Sequence, residues 1–140
     1  MTSAFETTVV LETSTPPLAP GDARKLMGAL ARRLLVPHGS VAVVFADDKM
    51  LRELNRRYRG KDRSTDVLSF PTDEHEHLGD IVVSSETTRR QGKRRRHGAR
   101  HEAKILLIHG FLHLLGYDHE VDDGEMEALE RTLREEMIER

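Results

Sequence analysis

The run His109-Gly110-Phe111-Leu112-His113-Leu114-Leu115-Gly116-Tyr117-Asp118-His119 decides how this chain is read. Two imidazoles four residues apart share one helix face, because four steps of 100° leave them only about 40° out of line. Gly116 stands three residues after the second. Glycine takes positive φ without steric cost, so it ends the helix and turns the chain back. That turn can swing His119 toward His109 and His113. Three neutral imidazoles meeting at one point form the ligand set of a catalytic zinc site, whose fourth position stays open. A lone histidine on a helix is usually an ordinary polar residue. Here two of them continue an apolar helix, where an unpaired imidazole carries a desolvation cost, and a third follows a glycine turn. The expectation is one Zn2+ per chain, held by His109, His113 and His119.

The helix that carries the first two histidines spans residues 101–115 on this reading. Its middle is apolar nearly all round, which places it in the core. Working outward, Asp122 with Glu125 resembles a capping pair, and Met126, Leu129, Leu133 and Met137 stripe a final amphipathic helix. Toward the N-terminus, residues 7–12 are rich in β-branched residues and read as a strand. Asp22 is expected to cap a helix running to about Leu35, with Leu26, Met27, Leu30 and Leu34 on its buried face. Ser40–Ala46 is a short apolar run and reads as a buried strand. Asp47 or Asp48 caps a second helix, with Met50, Leu51, Leu54 and Tyr58 inward. Residues 66–70 and 78–84 read as a hairpin joined by the acidic loop 73–77. Residues 85–98 are polar and basic, and read as a solvated helix or a partly mobile stretch. There is no internal repeat, and residues 1–140 are expected to form a single domain.

Composition narrows the chemistry. The chain has 140 residues and no cysteine, so disulfides and thiolate ligands are excluded and any metal must use His, Asp or Glu. The N-terminus has no basic region followed by an apolar one, so no signal peptide is expected. No apolar run approaches the roughly 20 residues that span a bilayer, and a soluble cytoplasmic protein is expected. The net charge of −2 hides an asymmetry: residues 89–100 hold seven Arg or Lys and no acid, whereas residues 118–140 hold ten Asp or Glu against three Arg. One face can therefore be basic enough for an anionic partner.

The spacing H-x3-H-x5-H with its glycine coincides with the metzincin peptidase pattern. In that pattern a glutamate follows the first histidine as general base; here the position is Gly110. A peptidase reading keeps the zinc and loses the group that deprotonates its water. Asp118 and Glu120 are the candidate substitutes, and neither has the helical position of the missing glutamate. Of the other histidines, His97 and His101 are also four apart, but they lie among Arg96, Gly98 and Arg100 and read as a solvated helix start. His75 and His77 read as exposed loop residues, and His38 sits in a turn after Pro37. None is assigned a metal.

Residues 55–63 pack five basic side chains into nine positions. Arginine grips phosphate bidentately and can place charge where a phosphoryl transition state develops it; cations also suit a solvated helix end. Both readings stand. Lys93-Arg94-Arg95-Arg96 suits a nucleic-acid backbone through counterion release, or equally a solubilising surface helix. With only 4% aromatic residues, stacking platforms are not expected to dominate; Tyr58 and Tyr117 are the candidates. Asp118 is placed either as an acceptor orienting a ligand imidazole or as an exposed turn residue.

HGFLHLLGYDH at 109–119 resembles the hallmark of the YbeY family of rRNA maturation factors. Tyr58-Arg59-Gly60-Lys61-Asp62 with Thr65-Asp66-Val67-Leu68-Ser69-Phe70-Pro71 is similar to a second block of that family, and Leu78-Gly79-Asp80-Ile81-Val82-Val83-Ser84 to a third. The blocks cover about a quarter of the chain. The resemblance implies a small α+β domain, with a four-stranded mixed sheet and about five helices around a central metal-bearing helix. It implies a zinc-dependent, single-strand-specific endoribonuclease that matures the 3′ end of 16S rRNA and acts in ribosome quality control. It also implies a functional arginine at Arg59 beside His109 in the catalytic set. The partners implied are single-stranded rRNA, the small ribosomal subunit and the GTPase Era, with no membrane. Whether water or the RNA's own 2′-hydroxyl attacks is left open by the sequence. Two other functions remain: a metzincin-like metallopeptidase, and a non-catalytic, zinc-stabilised ribosome assembly factor. The basic stretch 93–100 exceeds the family pattern.

Overall fold

Val41, Val43 and Phe45 are wholly buried, while Ala42 and Val44 between them are only partly so. That alternation makes Ser40–Ala46 a central strand with two unequal faces. The computed structural model describes residues 5–72, 74 and 76–139. In chain order the elements are β1 (Glu6–Leu11), α1 (Pro20–Arg33), β2 (Ser40–Ala46), α2 (Asp48–Arg59), β3 (Val67–Pro71), β4 (His77–Ser84), α3 (Ser85–Arg94), α4 (Gly98–Leu114) and α5 (Glu125–Met137). One sheet runs β1-β2-β4-β3; β1, β2 and β4 are parallel, and β3 lies antiparallel to β4 at the edge. The α+β architecture expected from the sequence is the one observed, hairpin included. Of the loop between β3 and β4, Asp73 and His75 lie outside the described residues.

Helix α4, which carries His109 and His113, touches α1, α3, α5, β3 and β4. Ala103, Leu107, Ile108, Phe111 and Leu112 are completely buried along it. Burying each large aliphatic or aromatic side chain contributes about 1.5–3 kcal/mol, so this helix anchors the core. The opposite face of the sheet is closed by α2, whose Leu51 meets Ala46, Leu68 and Val82 in a second, smaller cluster. Among the described residues, no helix is long and apolar enough to cross a membrane.

Four expectations are corrected. Asp22 does not cap α1: the N-cap is Ala19, with Pro20 opening the helix and Asp22 inside the first turn. Proline suits that position because its missing N–H would have had no helical partner. Tyr58 is not inward; it is 60% exposed and meets Phe70 edge-on at 5.4 Å. Residues 85–98 hold a helix that is solvated on its charged side, as expected, but its other side is buried. Helix α3 packs on α4 through Ser85, Thr88 and Gly92, and a Cβ at Gly92 would lie 2.4 Å from the carbonyl oxygen of Gly98. The packing face is built of small and hydroxyl residues, so no apolar stripe marks it. His77 is a partly buried strand residue, with Nδ1 on Ser40 Oγ (2.7 Å) and Nε2 on Asp80 Oδ1 (3.0 Å).

Asp48 ties α2 to α3. Its carboxylate accepts from Ser84 Oγ and Thr87 Oγ1 (both 2.6 Å) and from Arg90 Nη2 (2.8 Å). Burial pushes its pKa up, but those hydrogen bonds and the Arg90 charge win and bring it down to about 2. A carboxyl held below its unfolded value stabilises the fold above that value, and the contribution disappears as pH falls through the folded one. This carboxylate contributes on the order of 2 kcal/mol at neutral pH. Asp48→Asn is therefore expected to lower stability at neutral pH, with the gap to the parent narrowing from about pH 4 to pH 2 in acid-unfolding curves.

Candidate metal centre

The two histidines of α4 are placed by the helix itself, and the third by the turn that ends it. Gly116 has φ +98°, and its N–H donates to His113 O (3.0 Å) while Tyr117 N donates to Leu112 O (3.1 Å). This paired pattern is the Schellman closure, which satisfies the last carbonyls and needs a left-handed residue at Gly116. The chain then returns His119 over the helix end. One ring nitrogen from each of His109, His113 and His119 lies within 4.8 Å of the others.

The imidazoles are also oriented by their hydrogen bonds. His109 Nδ1 bonds Glu130 Oε1 at 2.6 Å, which turns Nε2 toward His113 Nε2 at 3.0 Å. Two nitrogens on one tetrahedral zinc stand about 3.3 Å apart, given Zn–N bonds of about 2.05 Å. The spacing therefore fits an ion. Desolvation lowers the His113 pKa, and the neighbouring His109 and His119 lower it further, so its ring is held toward the neutral, lone-pair form a metal requires. Burial pushes Glu130 up, but the hydrogen bond from His109 and the Arg134 charge hold it below the ordinary carboxylate range. Glu130 comes from α5, 21 residues along the chain from His109. Sequence reasoning missed it. The stripe that identified α5 contains only its apolar positions, and Glu130 sits among them as one acid in an acidic segment.

The tripod opens into a groove of about 340 Å³, which Arg59, Ser69, Pro71 and Asp118 also line. A larger hollow of about 480 Å³ at the end of α1 is mostly apolar and gathers no convergent polar groups. Arg59 is set by the end of α2, where Gly60 at φ +68° closes the helix in the αL form, its N–H donating to Arg56 O (3.2 Å) and Lys61 N donating to Asn55 O (3.3 Å). From there its Nη2 donates to Ser69 O on β3 at 3.1 Å. Asp118 lines the groove, but its described hydrogen bond accepts from Glu120 N (3.0 Å) within the turn. The imidazole-orienting role considered for it belongs to Glu130.

Two further sequence readings are settled by position. Gly110 faces the sheet: a Cβ there would stand 2.7 Å from Ile81 Cγ2 and 3.1 Å from Ser69 Oγ, and Ser69 Oγ donates to Gly110 O. Side-chain space at 110 is already filled by the strands. His97 is not a solvated helix start. Its Nε2 meets Glu102 Oε1 at 2.6 Å, and its ring stacks on His101 at 4.2 Å. Glu102, fully buried, also takes Arg95 Nη1 at 2.8 Å. Arg95 and His97 thus balance a buried carboxylate, which an unpaired site would make costly. Lys93, Arg94 and Arg96 remain exposed.

The family model described as endoribonuclease YbeY matches residues 22–138. The chain is similar to an endoribonuclease YbeY of Koribacter versatilis, 46% identical over 107 residues, spanning 76% of this chain and 70% of the relative. It is also similar to one of Aquifex aeolicus, 47% identical over 97 residues, spanning 66% of this chain and 64% of the relative. The solution structure of TM1509 from Thermotoga maritima superposes with a TM-score of 0.66 at 29% identity, covering 93% of this chain and 87% of that one. The match takes in both the helix that presents the histidines and the α5 acid that orients one of them, and the chain belongs to the endoribonuclease YbeY family.

Proposed function

We propose that this chain is a zinc-dependent, single-strand-specific endoribonuclease that acts in rRNA maturation, at the 3′ end of 16S rRNA, and in ribosome quality control. The observation that carries the reading is the meeting of three imidazole nitrogens in a groove that also holds an arginine. His109, His113 and His119 are the residues that would hold the ion, and residues 1–140 act as one domain around it. Neutral nitrogen donors suit Zn2+, although nickel accepts the same set. When bound, the ion supplies Lewis-acid stabilisation of negative charge on a phosphodiester. Arg59 binds a non-bridging oxygen and offsets the charge that develops on phosphorus. His109 belongs to the catalytic set as the ligand that Glu130 holds in one tautomer. The working context is the cytoplasm, with rRNA, the small ribosomal subunit and the GTPase Era as partners.

The metallopeptidase reading is disfavoured by Gly110, whose position leaves no room for the general-base glutamate. A purely structural zinc protein is disfavoured by the open groove beside the tripod. The test is cleavage of single-stranded against duplex RNA before and after chelation, on protein of known metal content. Arg59→Ala is expected to lower cleavage by about 10²–10³-fold with the metal retained. Full activity in that variant removes Arg59 from the mechanism. Metal-loaded protein that binds RNA without cutting it would instead indicate an assembly factor.

A further inference from the structure

The free edge of β3 runs along the groove. Ser84 N donates to Asp66 O (2.9 Å) and Thr72 N to Leu78 O (3.1 Å). In an antiparallel ladder, pairs that exchange bonds alternate with pairs that do not. Leu68 and Phe70, in register between those two pairs, therefore turn their backbone groups toward β4. Val67, Ser69 and Pro71 turn theirs outward, and all three line the groove.

An open outward edge can accept an extended peptide, through donors and acceptors repeated every second residue. This one has been stripped of that pattern. The Val67 N–H is taken by Asp66 Oδ1 at 2.8 Å. Pro71 has no N–H. The Ser69 carbonyl is occupied by Arg59 Nη2. What faces the groove is a single backbone donor, Ser69 N–H, with a guanidinium held next to it. In a strand the N–H and C=O of one residue point the same way, so the bond to Ser69 O sets Arg59 beside that donor. Arginine has five N–H donors, and only one is used here. A peptide finds half of its ladder missing; an anion finds converging donors. The carboxylate nearest them on the strand, Asp66, is already engaged by the Val67 N–H and by Gln91 Nε2, while Asp118 and Glu120 also line the groove.

We propose that the Ser69 amide and the Arg59 guanidinium together hold one phosphate of single-stranded RNA against the histidine tripod, and that this edge rejects peptide strands. The inference rests on the endoribonuclease reading and adds a backbone contact to substrate. Ser69 is only 7% exposed, so its amide is reachable from the groove alone.

The test is amide hydrogen exchange by NMR on the zinc-loaded protein, with and without a saturating single-stranded 2′-O-methyl oligoribonucleotide. In the free protein the Ser69 amide is expected to exchange faster than those of Leu68 and Phe70. On binding it should slow by about tenfold or more, as for one charge-assisted hydrogen bond, while the already bonded Val67 amide stays unchanged. Oligonucleotide bound with Ser69 exchange unaltered overturns the edge contact and leaves the endoribonuclease reading standing. A Ser69 amide already as protected as its neighbours in the free protein also overturns it. Absence of any binding at saturating concentration overturns both.

Discussion

His109→Ala is expected to give a folded protein that has lost its metal and its RNA cleavage together. The variant removes one of three ring nitrogens, so metal affinity should fall by more than the roughly 10–100-fold seen when an outer-shell partner is lost. It also deprives Glu130, whose side chain is only 12% exposed, of its 2.6 Å hydrogen bond, which costs about 1–3 kcal/mol of stability. Metal analysis, thermal unfolding and RNA cleavage on one preparation separate these effects. Glu130→Gln is the graded companion. It keeps the side-chain shape and weakens the grip on His109, so metal affinity or activity should fall about 10–100-fold with the fold intact. A His109→Ala protein that retains full metal and full cleavage would remove the tripod from the account.

Gly110→Glu is expected to fail at folding, although it restores the peptidase pattern letter for letter. A Cβ at 110 would already stand 2.7 Å from Ile81 Cγ2, and the carboxylate beyond it would enter the packed layer between α4 and the sheet. Overpacking plus a buried unpaired charge should remove about 4 kcal/mol or more, a large share of a small domain's stability. Gly110→Ala should cost less, about 1–3 kcal/mol, with part of the steric cost offset by alanine's better helix propensity. Soluble expression and chemical denaturation read both. A Gly110→Glu variant as stable as the parent would mean that α4 does not press against β3 and β4 at this point. The glycine is thus a contact requirement of the helix–sheet interface, and the loss of the peptidase base follows from it.

The groove also shows how one ligand triad can serve different substrates. The tripod alone fits a peptidase and a nuclease alike. The strand beside it does not, because Asp66, Pro71 and Arg59 cancel the hydrogen-bonding repeat that a peptide would use. On the proposed reading, the edge beside the three histidines, and not their spacing, selects the substrate class.

What the sequence determined by itself was whatever depends on near neighbours along the chain. His109 and His113 share a face because helical geometry is local, and Gly116 and Gly60 end their helices because positive φ is a property of the residue. The apolar periods of α1 and α5, the all-round apolar middle of α4 and the short apolar run of β2 are legible for the same reason. The tertiary structure alone decided what depends on surfaces meeting. Glu130 reaches His109 only after α5 folds back on α4. Helix α3 packs through Ser85, Thr88 and Gly92, which carry no apolar signal. Gly110 proves to be a contact point, and the outward side of β3 is known only once β4 fixes its register. Those features rest on interatomic distances of a few ångströms between residues far apart in the chain, and no period in the sequence encodes them.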